Sequence, residues 1–226
     1  GHCYHRTALA AGFSAVYVAT CDQIIADYVE SIGGHAVMTS TLHDRASTRT
    51  AEALSIIEEQ MSDPIDVVVM VQGDEPIIGP DVISETLAHF EDDQVQIVNI
   101  MSQLTTKDAF LDHNNVKVVV DCKSNALYFS REPIPSPWKG WEHLPRYMQT
   151  GIIAFRRDAL MNFDAMSETD LERYESVDMN RVLETGGSIR MVATADFTIG
   201  VDTEDDLYLA EKFLTTDEST KLYMNK

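Results

Sequence analysis

The sequence predicts an α/β fold: a mainly parallel sheet with helices on both faces, three layers in all, carrying a β-rich insertion. Three observations predict it. Along most of the chain the apolar residues switch back and forth between strand-like and helical spacing, which marks repeated βαβ units. The run Asp66-Val-Val-Val-Met-Val71 is apolar after its first residue, as a central strand covered on both faces should be. The stretch Arg131-Glu-Pro-Ile-Pro-Ser-Pro-Trp138 sets prolines at 133, 135 and 137, which neither a helix nor an inner strand tolerates.

The elements follow in order. Ala15–Thr20 is a short buried-strand run. Ile24, Ile25, Tyr28, Val29 and Ile32 recur at helical spacing, and Gly33-Gly34 ends that helix. Ala36–Met38 is a strand, and Leu54, Ile57 and Met61 mark a helix with Pro64 beyond it. After Asp66–Val71 come a helix over Pro80–Phe90 and a strand over Ile97–Met101. Val116–Val120, Ala126–Phe129 and Gly151–Phe155 read as strands, so residues 115–157 form the insertion, a lid that also builds a dimer face. Helices return at Asp158–Phe163 and Asp170–Glu184, the second ended by Gly186-Gly187. A strand Ile189–Thr194 and a helix from Asp202 to Leu214 complete one domain over 1–226, and the polar tail Thr215–Lys226 is expected to fray.

Composition narrows the partners. Seventeen basic against 37 acidic residues in 226 give a net charge of −20 with no basic cluster, which argues against a nucleic-acid grip. A few local cations and a metal still allow a small anionic substrate. No apolar run approaches the roughly 20 residues of a membrane span. Residues Gly1–Thr20 lack the pattern of a signal peptide. Cys3, Cys21 and Cys122 are scattered and odd in number, which fits a reducing cytoplasm better than a disulfide frame or a zinc site.

Five segments hold candidate chemistry. Gln72-Gly-Asp-Glu-Pro76 follows the strongest strand, where open α/β sheets bind ligands. Gly73 permits close backbone approach, Asp74 offers a hard oxygen to Mg²⁺, and Gln72 offers an amide to a base edge; a simple tight turn explains the same residues. In Gly200-Val-Asp-Thr203, either Asp202 or Thr203 simply caps the following helix, or Asp202 is a second carboxylate for the same ion. Lys117 interrupts an apolar strand, either snorkelling at an edge or turned inward toward an anion. Arg131 stands where a strand meets the proline loop, as a carboxylate clamp or as a surface partner of Glu132. In Arg45-Ala-Ser-Thr-Arg49, Ser47 or Thr48 can cap a helix, while Arg45 and Arg49 make an anion site worth testing.

The ordered set Val71-Gln-Gly-Asp-Glu-Pro76, Asn115-Val-Lys117, Ala126-Leu-Tyr-Phe-Ser-Arg131 with Pro133-Ile-Pro135, Gly151 with Ala154-Phe-Arg156, and Gly200-Val-Asp-Thr203 resembles the 3-deoxy-manno-octulosonate (Kdo) cytidylyltransferases over about residues 1–214. The resemblance implies a Rossmann-like nucleotidyltransferase fold, a homodimer, and Mg²⁺-dependent transfer of CMP from CTP to an acidic sugar for surface-glycan synthesis. It implies metal-binding roles for Asp74 and Asp202, a place beside the cytosine for Gln72, one near the sugar acid for Arg131, and one at the site floor for Lys117. The sequence begins where the family's first helix starts, so the family's opening strand and Ile-Pro-Ala-Arg loop either precede Gly1 or are lacking, and its Ser-Gly-Thr-Asp/Glu-Arg segment reads Arg45-Ala-Ser-Thr-Arg49. A family histidine is Gln149, and its Glu-Gln-Leu-Arg reads Asp178-Met-Asn-Arg181. These two changes fall where the sugar is expected, so another acid, such as a phosphonate, is the alternative acceptor. A catalytically incomplete nucleotide-binding scaffold is the alternative of another class.

Overall fold

The computed structural model describes residues 2–195, 200–201 and 203–224. Helix α1 (His2–Leu9) leads into strand β1 (Tyr17–Thr20), helix α2 (Gln23–Ser31), strand β2 (His35–Met38), helix α3 (Ala46–Glu58) and strand β3 (Val67–Val71). Next come α4 (Pro80–Ala88), β4 (Ile97–Gln103), α5 (Lys107–Leu111), β5 (Lys117–Val120), β6 (Ala126–Ser130) and the long β7 (Tyr147–Arg156). The chain closes with α6 (Arg157–Ala165), α7 (Asp170–Glu175), α8 (Met179–Glu184), β8 (Arg190–Thr194), α9 (Glu204–Leu214) and α10 (Glu218–Met224).

The main sheet has six strands in the path β6-β5-β7-β4-β8, with β3 also paired to β7. Strand β7 runs against β3, β4 and β5, while β4 and β8 are parallel. Hence β3, β4, β5 and β8 point one way, and β6 and β7 the other. The carboxyl ends of β3, β4 and β8 therefore share one rim, the rim at which α/β sheets bind ligands. Strands β1 and β2 pair in parallel as a separate two-stranded sheet.

Period-2 alternation builds two cores. Met70, Ile97, Met101, Ile153 and Phe155 face a layer containing Leu54 of α3, Leu160 and Phe163 of α6, and Val182 of α8. Their neighbours Val98, Ile100, Ile152 and Ala154 face Val82 and Ile83 of α4, with Val67, Val69 and Val71 on the same side. The three layers follow directly from this alternation. A bulge in β4 between Asn99 and Met101 is held by buried Asn99, whose Nδ2 donates to the carbonyls of Thr150 (3.1 Å) and Ile152 (2.8 Å).

Several expectations are corrected. The apolar run of β3 is covered on both faces, yet its only strand partner among the described residues is β7, which leaves it at an edge of the main sheet, while β1 and β2 pair with each other in a separate sheet. The helix expected over Asp170–Glu184 is two helices: Ser176 adopts a left-handed conformation (φ 53°) that ends α7. The chain restarts at α8 because buried Val177 anchors the corner. The tail expected to fray holds α10, fastened through Arg6 to α1. Helix α1 stands where the resemblance places the family's first helix, whereas the five-residue α5 is too short to show a helical period. No helix among the described residues is long and apolar enough to cross a membrane.

Candidate functional site

The loop after β3 is built on a close approach. Gln72 N–H donates to the Gly151 carbonyl (3.0 Å), and Gly151 N–H donates to Glu75 Oε1 (2.6 Å). Glu75 is buried, with 4% of its surface exposed. A Cβ on Gly151 would lie 2.9 Å from Gln72 Cβ and 3.0 Å from Glu75 Cγ, so only glycine lets the loop sit on β7. The sheet thus presents Gln72, Gly73 and Asp74 at the rim formed by the carboxyl ends of β3, β4 and β8, with Gly73 exposed and Asp74 half-buried.

Two segments fasten the loop from other sides. Val201 N–H donates to the Asp74 carbonyl (2.9 Å). Asp202 itself lies outside the described residues. Thr203 forms the N-cap of α9, with a capping box to Asp206, so the cap expected of Asp202 or Thr203 belongs to Thr203. From α1, the Cys3 thiol donates to the Gly73 carbonyl (3.2 Å). Burial pushes this thiol up, and the neighbouring Asp74 and Glu75 carboxylates push the same way.

A second cluster gathers at the start of α3 and the α7–α8 corner. Arg45 Nη1 donates to the Ser176 carbonyl and hydroxyl, both at 3.2 Å. Ser47 Oγ donates to Asp178 Oδ2 (2.6 Å). Neither Ser47 nor Thr48 caps α3 as expected: Arg45 is the N-cap, without a side-chain bond, and Thr48 Oγ1 donates to the Arg45 carbonyl. Burial pushes the Asp178 carboxyl above its ordinary range, against the pull of Ser47 and Arg45. Arg45, Asp44, Thr48, Glu168 and Ser176 line a cleft of about 520 Å³. Arg49 serves the preceding loop, donating to Thr39 Oγ1 (2.6 Å) and the Ser40 carbonyl (3.1 Å).

Arg131 does not pair with Glu132. Its guanidinium donates to the carbonyls of His113 (2.9 Å), Glu175 (2.9 Å) and Ser176 (3.4 Å). The Glu175 carboxylate accepts from Arg131 N–H, Tyr128 Oη and Ser130 Oγ. Burial pushes Glu175 up, but these three donors outweigh it and hold the carboxyl below its ordinary range. Burial and the same carboxylate push the Tyr128 phenol up to about 12. Lys117 is fully buried, so it does not snorkel; its ammonium donates to the carbonyls of Asp112 (2.7 Å) and Arg131. Burial pulls its pKa down. Lys117 therefore holds the Arg131 corner from beneath, with its charge directed at backbone oxygens.

Gln149 joins the two clusters. Its N–H donates to the Val116 carbonyl (2.8 Å) beside Lys117, and it lies two residues before Gly151 on β7. The structure thus brings Gln72, Gly73, Asp74 and Gln149 to one rim, and Arg45, Ser47, Arg131, Lys117 and Asp178 to a connected corner. Sequence reasoning missed Glu75, Glu175 and Arg6. A charged residue between Asp74 and Pro-Ile-Ile was a usable signal for Glu75; Arg6 had none.

Among the described residues no three metal-ligating side chains cluster. The donor set still suits Mg²⁺, which takes one or two carboxylates and completes its shell with water and phosphate oxygens. Asp74 would supply one such carboxylate, and the chain that leads to Asp202 abuts it through Val201.

Comparison with known proteins agrees with this geometry. A family model described as cytidylyltransferase matches residues 1–191. A 3-deoxy-manno-octulosonate cytidylyltransferase from Geotalea uraniireducens (strain Rf4) is 40% identical, with 91% of this chain and 84% of the relative covered. One from Geobacter sulfurreducens (strain ATCC 51573 / DSM 12127 / PCA) is 41% identical over the same shares. A solved CMP:2-keto-3-deoxy-manno-octonic acid synthetase, complexed with CTP, superposes with a TM-score of 0.84 at 32% identity, covering 95% of this chain and 86% of that one. With its three-layer sheet and its Asp74 rim, this chain belongs to the cytidylyltransferase family, alongside the 3-deoxy-manno-octulosonate cytidylyltransferases.

Proposed function

We propose that the protein transfers CMP from CTP to 3-deoxy-manno-octulosonate, releasing pyrophosphate. The relatives' names and the CTP complex of the structural neighbour support this reading. The observation in this chain that carries it is the 2.9 Å bond from Val201 N–H to the Asp74 carbonyl, which sets the two predicted metal-binding segments side by side.

The proposed site takes Mg²⁺ on Asp74 and Asp202. When bound, the ion would neutralise phosphate charge and acidify the attacking hydroxyl. The chain's own part is positioning, which dominates phosphoryl-type transfers. Gly73 leaves room for the nucleotide to approach the backbone. The Gln72 amide offers a donor and an acceptor to the cytosine. Glu75 fixes the loop height through Gly151. The Arg131–Glu175 corner, underpinned by Lys117, and the Arg45–Ser47–Asp178 contacts shape the acceptor side, with Gln149 between the two. A homodimer through the 115–157 region, a cytoplasmic setting and a role in lipopolysaccharide synthesis belong to the same proposal.

The test is Asp74→Asn. It is expected to abolish Mg²⁺-dependent pyrophosphate release from CTP and the acid while leaving the circular dichroism spectrum unchanged. Turnover at the wild-type rate removes Asp74 from the metal site.

A further inference from the structure

Arg6 is the largest of the fully buried side chains, with 1% of its surface exposed, and no part of the reaction above uses it. Its guanidinium reaches in two directions. Nη1 donates to the carbonyls of Ile77 (3.2 Å) and Ile78 (3.0 Å), the segment that follows Asp74-Glu75-Pro76. Nη2 donates to Asp217 Oδ2 (2.5 Å), in the turn joining α9 to α10, and to Thr220 Oγ1 (3.0 Å), in the first turn of α10. Asp217 is further held by Thr220, whose N–H (2.7 Å) and hydroxyl (3.0 Å) both donate to the same Oδ2.

The two ends of this bridge matter. Ile77 packs on Ala210 and Leu214 of α9, with Val201 against the same cluster. Helix α9 begins one residue after Thr203, and Val201 touches Asp74. One buried guanidinium therefore bonds both the segment carrying Asp74 and the far end of the helix that Asp202 leads into. A buried charge is costly unless it is well bonded; four bonds from the two Nη nitrogens hold this one in place, although its buried Nε has no partner.

We infer that Arg6 is a positioning residue: through the Ile77–Ile78 carbonyls on one side and Asp217 on the other, it sets the spacing between the Asp74 loop and α9, and so the bite of the metal-nucleotide site. The inference rests on the proposed Asp74–Asp202 site, and it assigns to α10 a part in substrate binding rather than a mere terminal cap.

The experiment compares Asp217→Asn, Arg6→Met and Asp74→Asn with the wild type. The principal readout is Mn²⁺ binding in the presence of CTP and the absence of the acid, followed by electron paramagnetic resonance. The second is pyrophosphate release as a function of Mg²⁺, and the third is thermal unfolding. Asp217→Asn, which keeps the side-chain shape, is expected to fold, to weaken Mn²⁺·CTP binding about tenfold, and to regain turnover when Mg²⁺ is raised; that factor matches about 1.4 kcal/mol. Arg6→Met is expected to go further in the same direction, with lower thermal stability. Wild-type Mn²⁺ binding by a folded Asp217→Asn, with Asp74→Asn binding none, overturns the positioning role and leaves the metal reading standing. Wild-type Mn²⁺ binding by Asp74→Asn overturns both.

Discussion

Replacing Gly151 with alanine tests how finely the Asp74 loop is placed. The new Cβ would stand 2.9 Å from Gln72 Cβ, 3.0 Å from Glu75 Cγ and 3.2 Å from Gln72 Cγ. Carbon atoms settle at about 3.5–4.0 Å, so the loop must lift by roughly 0.8 Å. Neither contact is the tip of a flexible chain: Gln72 is pinned through its N–H and Glu75 through its carboxylate, both to Gly151 itself. Lifting the loop stretches the 2.6 Å bond from Gly151 N–H to Glu75 and carries Asp74 away from its place at the rim. Overpacking of this kind costs about 1–3 kcal/mol, which lowers the melting temperature by roughly 2–12 °C in a chain of this size. A displacement near 1 Å at a reacting centre costs about 10²-fold in rate. The assay is pyrophosphate release at saturating CTP, acid and Mg²⁺, at a temperature where the variant remains folded. A rate within about threefold of wild type, less than 1 kcal/mol of barrier, would refute the claim that the loop's height on β7 controls activity.

Three further outcomes are expected. Asn180→Leu removes both bonds of the buried amide to the Phe129 backbone (3.2 and 3.0 Å), leaving that strand edge unsatisfied; chemical denaturation should show a loss of about 1–3 kcal/mol. Because the Asp178 carboxyl is raised in the folded state, its favourable contribution is present below the unfolded value of 3.8 and lost as pH rises through the folded value. Asp178→Asn should therefore raise the melting temperature at pH 7 and change it little near pH 3. Glu175 is lowered, so its contribution is present above 4.5 and lost as pH falls through the folded value; Glu175→Gln should lower the melting temperature at pH 7 and flatten the acid side of the stability profile.

What was legible in the sequence followed from strong local physics. The Val-rich run of β3, the glycines that stop α2 and α8, and the turn after Val71 all act within a few residues, and each stands where its chemistry requires. The break between α7 and α8 was not legible, because Asp170–Glu184 keeps a helical pattern and only the left-handed Ser176 interrupts it. The role of Lys117 was half legible. Its inward turn was one of two readings, but the oxygens that receive it come from Asp112 and from Arg131, across the β5–β6 hairpin. Ser47 looked like a cap because helix starts favour serine, yet its partner, Asp178, is 131 positions away. Local pattern cannot register such a partner.

The fastenings of the Asp74 loop also bear on how the molecule comes to be active. Cys3, Arg6, Gly151 and Val201 all reach it from 70 or more positions away. Closing such long loops costs chain entropy before any contact is gained, so assembly of this rim belongs late in folding. During synthesis this rim stays incomplete until the segment around Val201 has left the ribosome, however well the sheet has formed by then.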